Sequence, residues 1–112
     1  MPPTSEIKFP VSSDPTATFE FRLLEVDYEV RLYWQNTVVL GAKAHDTPKT
    51  APLLRKRKYC VRYNNNDGGD GRLNFQVVQI LNGVEQEILA VDNSAILGPR
   101  VIEIPFMLWP AT

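Results

Sequence analysis

The stretch Ala17-Thr18-Phe19-Glu20-Phe21-Arg22-Leu23-Leu24-Glu25-Val26-Asp27-Tyr28-Glu29-Val30-Arg31-Leu32-Tyr33-Trp34 decides the fold. Phe19, Phe21 and Leu23 alternate with Glu20 and Arg22. Tyr28, Val30, Leu32 and Trp34 alternate with Glu29, Arg31 and Tyr33. A repeat of two is the side-chain period of a strand with one buried face. Folding the segment about Glu25-Val26 sets Phe19 opposite Leu32, Phe21 opposite Val30 and Leu23 opposite Tyr28. The other face then pairs Glu20 with Arg31 and Arg22 with Glu29. One register satisfies both faces, and a slip of one residue would spoil both. The reading predicts a hairpin closed by the loop Leu24–Asp27, since no Asn-Gly pair marks a tighter turn.

Downstream, Thr37 to His45 reads as a third strand, with Gly41 marking a bulge or a close backbone approach. Residues 46–58 hold Pro48, Pro52 and the run Arg55-Lys56-Arg57-Lys58, and read as a loop. Tyr59, Val61 and Tyr63 alternate with Cys60 and Arg62. The loop Asn64–Gly71 follows, and then Leu73, Phe75 and Val77 line one face. Asn82-Gly83 is the strongest short hairpin signal in the chain. It sets Val77 against Ile88 and Phe75 against Ala90, which completes a three-stranded meander over residues 59–91. Residues 92–99 read as a loop, and Val101 to Ile104 as a last strand ended by Pro105. No helix of ten or more residues and no internal repeat is read anywhere.

The fold class expected is all-β, a small antiparallel sandwich or open barrel of about six to seven strands. Residues 1–16, with prolines at 2, 3, 10 and 15, form an extended N-terminal arm, because proline resists helix and central strand alike, and the alternating Ile7, Phe9 and Val11 suit part of it to a sheet edge or a neighbour. Residues 17–104 form the β domain, and 105–112 an apolar C-terminal tail.

The chain has 112 residues, 44% of them apolar, which is the size of one domain with a real core. A net charge of −1 speaks against a general nucleic-acid binder and against electrostatic membrane attachment. A lone cysteine, Cys60, excludes an intrachain disulfide and fits a reducing compartment. The first residues have neither the basic start nor the apolar run of a signal peptide, and no apolar stretch approaches the ~18 residues of a membrane span. Synthesis and folding in a cytosol are expected.

Few residues carry chemistry. His45 is the single histidine, and with Cys60 it makes a poor metal set, since zinc takes about four ligands. A Cys60–His45 nucleophilic pair lacks a glycine-rich turn that would offer an oxyanion hole. Asn64, Asn66, Asp67 and Asp70 offer oxygen atoms, but the loop departs from the EF-hand pattern, having Phe75 at the twelfth position from Asn64. The plain reading is a flexible hairpin loop. Glu20 and Glu29 face arginines in the register above and so read as structural rather than as an acid–base pair. Neither an enzymatic activity nor a cofactor is expected. Arg55–Lys58 reads as a solvated loop or a guarded sheet edge. The candidate contact surface is Phe106, Met107, Leu108 and Trp109, with Phe9 and Val11 of the arm, because aromatics and Met are enriched in interface cores; the plain alternative is that the tail folds back onto the core.

The segment Phe9-Pro10-Val11-Ser12-Ser13-Asp14-Pro15-Thr16-Ala17-Thr18-Phe19-Glu20-Phe21, with Tyr28-Glu29-Val30-Arg31-Leu32-Tyr33-Trp34 after it, resembles the opening of the small baseplate plug proteins of contractile-tailed phages. The resemblance covers the first third of the chain. It implies a non-enzymatic β-rich subunit of the virion that packs against or plugs the central hub or tube. It also implies other hub, tube or spike subunits and copies of itself as partners, with no nucleic acid and no membrane. The alternative is a free-standing β-sandwich binding module for carbohydrate or calcium, motivated by the Asn/Asp/Gly loop and by the exposed-looking aromatics Tyr33, Tyr63 and Trp109.

Overall fold

The computed structural model describes residues 7–44, 46–67 and 69–111. Among them run nine strands: β1 (Lys8–Ser12), β2 (Thr18–Val26), β3 (Glu29–Trp34), β4 (Thr37–Lys43), β5 (Lys49–Leu53), β6 (Tyr59–Asn65), β7 (Asp70–Leu81), β8 (Val84–Leu97) and β9 (Arg100–Ala111). They form two sheets, one ordered β1-β9-β6-β3-β4 and the other β5-β2-β7-β8. The pairing is antiparallel apart from β1, which runs parallel to β9. The fold is the expected all-β sandwich, not closed into a barrel. Its two strands beyond the expected number are β1 and β5.

The predicted strands on either side of Asp27 exist, but they are not a hairpin. β2 pairs with β5 and β7, whereas β3 pairs with β4 and β6 in the other sheet. The crossing takes two residues. Asp27 N donates to Arg72 O and Asp27 Oδ2 accepts from Arg72 N, so the chain is held to β7 up to that point. Tyr28 then turns through a positive φ of 74°, and its carbonyl accepts from Ala44 N beside β4. The apolar faces of β2 and β3 therefore meet across the sandwich instead of side by side. Phe21, Leu23, Val30 and Leu32 are all fully buried. An alternating pattern fixes which face is buried and leaves open whether the partner is bonded alongside or packed opposite.

The meander over 59–91 is corrected for the same reason. β6 and β7 lie in different sheets, and the Asn64–Gly71 stretch carries the chain between them. The Asn82-Gly83 hairpin does form, with φ of 53° and 75° at its two turn residues, the pairing of signs that suits strand twist. Its register holds from Leu81↔Val84 to Val78↔Glu87. There Ile88 bulges out of β8 and moves the partners to Val77↔Leu89 and Phe75↔Val91. A bulge also sits on β4, at Val39 rather than Gly41.

Four proline-marked segments read as arm, loop or tail contain strand. β1 contains Pro10, β5 contains Pro52, β8 continues through residues 92–97 ahead of Pro99, and β9 runs through Pro105 and Pro110. Each strand proline lies where its strand has a neighbour on one side only. Pro10 and Pro52 are on edge strands. Pro105 pairs with β6 before β1 begins at Lys8↔Met107, and Pro110 pairs with β1 after β6 has ended at Tyr59↔Phe106. A missing amide is tolerated at such positions. The described part of the arm from Lys8 to Ser12 and the tail up to Ala111 are thus the β1–β9 side of the five-stranded sheet, while residues 1–6 and 112 lie outside the described residues.

The core joins both sheets. Phe21 and Phe75 rings lie 5.1 Å apart, and Tyr59 stacks on Phe106 at 5.4 Å. Each such fully buried side chain contributes about 1.5–3 kcal/mol.

Candidate interaction surface

The tentative contact residues divide sharply. Val11, Phe106 and Leu108 are buried and Phe9 is half-buried in the core between the sheets, while Met107 is buried on the opposite side of β9, the side that carries Trp109. Register explains it, since Phe9, Val11, Phe106 and Leu108 fall on the inward-facing positions of β1 and β9. Only Trp109 is exposed, at 40%, on the outer face of the five-stranded sheet.

Trp109 is the centre of a basic surface. Lys8 Nζ lies 4.3 Å from the indole centroid and Lys56 Nζ 5.8 Å. The loop bearing Lys56 is fixed against β9 by Lys56 N donating to Leu108 O at 2.8 Å. Its neighbours are equally ordered. Arg57 sits 3.7 Å over the Trp34 ring and Arg55 4.8 Å over Phe19. Arg55 also donates to the carbonyls of Ser12 and Asp14 at 2.8 and 2.6 Å. The basic run is therefore no loose solvated loop. It is strapped over the rim of the sandwich by cation–aromatic contacts, each worth about 0.5–1 kcal/mol where exposed. Spacing alone did not reveal this, because Phe19, Trp34 and Trp109 come from three distant strands.

From Trp109 the surface continues across the outer positions of β9, β6, β3 and β4. Arg31 and Arg62 are direct cross-strand partners, as are Arg62 and Glu103, and Tyr33 and Cys60. A shallow depression of about 260 Å³ is lined by Tyr33, Gln35, Asn36, Cys60, Arg62 and Glu103. A second, of about 160 Å³, is lined by Glu29, Arg31, Tyr33, Arg62 and Asn64. Arg31 donates to Glu29 at 3.3 Å.

Burial and the charge of Glu103 push the Cys60 thiol up, away from the thiolate form a nucleophile needs. His45 lies outside the described residues. Glu20 and Glu29 do hold arginines, though along their own strands: Glu20 binds Arg22 at 2.9 Å and Glu29 binds Arg31. The Asn/Gly loop, of which Gly68 lies outside the described residues, is organised around Asn65. Its buried amide donates to Gly69 O and Ile96 O, both at 3.0 Å, and its carbonyl accepts from Asp67 N. That side chain ties the loop down. Among the described residues no three His, Cys, Asp or Glu side chains cluster as a metal site would require.

Comparison with protein-family models, with curated proteins and with solved structures finds no match.

Proposed function

We propose that this chain is a non-enzymatic structural subunit of the tail baseplate of a contractile phage, docking against hub, tube or spike proteins in the virion. The observation that carries the docking part is Trp109, exposed between two lysines on a sheet face that also presents Arg31, Arg62 and Tyr33. Aromatic and arginine side chains are the residues that dominate interface energies. The carboxylates Glu20, Glu25, Glu29 and Glu85 are each engaged by an arginine, which supports a structural use for them. The resemblance of the N-terminal third supplies the assembly.

The test is co-expression with the tube, hub and spike proteins encoded beside the gene. The expected outcome is a stable complex that Trp109→Ala weakens at least about tenfold, the loss typical of a central aromatic anchor. A chain that stays alone with every one of them overturns the proposal. A binding module for carbohydrate draws on the depression beside Tyr33, and calorimetric heat with a glycan panel in place of baseplate binding would reverse the order of the two readings.

A further inference from the structure

We propose that copies of this chain stack on one another, the basic outer face of the five-stranded sheet seated on the acidic outer face of the four-stranded sheet of the next copy. This rests on the assembly reading above and names a second copy of the chain as a partner.

The two broad faces carry opposite charge, as strand parity and register dictate. Among the described residues, the outer side of the five-stranded sheet carries Lys8, Arg31, Lys43 and Arg62, joined by Lys56 over Trp109, against Glu29 and Glu103. Asp46 stands at the rim, where it accepts from Lys43 N. On the outer side of the four-stranded sheet stand Glu20, Glu25, Glu85, Glu87 and Asp92, against Arg22 and Arg72. Arg22 takes Glu20 and Glu85, at 2.9 and 2.7 Å, and Arg72 takes Glu25 at 2.7 Å. Glu87 has only a 3.5 Å contact from Gln76, and it is exposed, as is Asp92.

The Arg31–Arg62 juxtaposition points the same way. Like charges directly across a strand pair weaken a sheet, and an acidic surface laid over them adds to the offset that Glu29 and Glu103 supply within the face. Apolar contact is available beside the charges, from Trp109, Val38 and Val101, all exposed and all on outward positions of that face. The molecule measures 45 × 39 × 23 Å, a slab whose broad faces exceed the ~800 Å² per partner of a standard interface. Because the two faces differ, the contact is head-to-tail and builds a ring or an open stack. The charges set orientation and encounter rate, so the association is salt-sensitive.

Sedimentation velocity of the full chain at about 20 mM and about 500 mM salt tests this, since screening shortens several-fold over that range. The expected result is concentration-dependent association at low salt that high salt reverses. The double variants Arg31→Glu/Arg62→Glu and Glu87→Lys/Asp92→Lys, all at exposed positions, should each weaken it at least about tenfold, and mixing the two should restore it. Circular dichroism confirms that each variant is folded, and the salt dependence of the unaltered chain stands whether or not they are. A chain that is monomeric at low salt, or association that neither reversal moves, overturns the stack. If such a chain still binds the baseplate proteins, the assembly reading survives and the stacking inference alone fails.

Discussion

Tyr63 puts a phenolic oxygen into the core with no hydrogen-bond partner among the described residues, and burial pushes its pKa up to about 12. A buried hydroxyl without a partner costs what its desolvation costs, so Tyr63→Phe should leave stability unchanged or raise it by up to about 1 kcal/mol in denaturant titration. The folded pKa is above the ordinary value of 10.0, so stability is fully present below that pH and declines as pH rises through about 12. Tyr63→Phe should lack this part of the alkaline decline. Gly71 is the neighbouring constraint. A Cβ there would collide with the Tyr63 hydroxyl and press on Asn65 Nδ2 and Tyr28 Cε2 at 3.1 Å each. Gly71→Ala should therefore cost about 1–3 kcal/mol, and Tyr63→Phe in the same chain should restore part of it by removing the atom that is struck. Alternation grouped Tyr63 with Tyr59 and Val61, yet its place among the exposed-looking aromatics of the binding-module reading is corrected, since Tyr63 is fully buried. The lonely hydroxyl and the crowding at Gly71 were not legible, because they depend on which strands converge there.

At the scale of elements, the linkers between the sheets are held by particular side chains. Asn65→Ala would remove both donors that bind Gly69 O and Ile96 O and the acceptor for Asp67 N. The expected cost is about 2–3 kcal/mol, with faster hydrogen exchange at the Asp67 amide. β8 is a long edge strand, open to solvent along most of its length and guarded by Glu85, Glu87 and Asp92. Glu85 also links that edge to β2 through Arg22, whose hydrogen bonds hold its carboxyl below the usual range. A lowered folded pKa gives stability that is present above the unfolded value and lost as pH falls through the folded one. Thermal melts of Glu85→Gln should accordingly show a flatter loss of stability below pH ~4 than those of the unaltered chain. The alternation in β2, β3, β6 and β7 made these strands legible. β5 and the far half of β9 escaped because prolines argue against strands. What admits them is a neighbour on one side only, which is a property of the assembled sheet.

For the molecule as a whole, the pairing of β1 with β9 in one sheet has a direct consequence. β9 carries Phe106 and Leu108 into the core and β1 lies along its outer edge. A chain ending at residue 104 should therefore fail to give a dispersed amide NMR spectrum, rather than lose a dispensable tail. Two fully buried side chains and the strand that bears them exceed the 5–15 kcal/mol margin once backbone pairing is lost with them. The split of charge between the two broad faces also belongs to this scale. By itself the sequence determined that the chain is all-β, which face of each alternating strand is buried, and where the tight Asn82-Gly83 turn falls, because these follow from side-chain period and local backbone preference. Which strand lies beside which, the crossing at Tyr28, the basic strap over two tryptophans and the opposed charge of the faces were decided only by the tertiary structure. Backbone hydrogen bonds between strands are the same whatever the side chains, so alternation states that a face must be covered without stating whether its cover lies alongside or opposite.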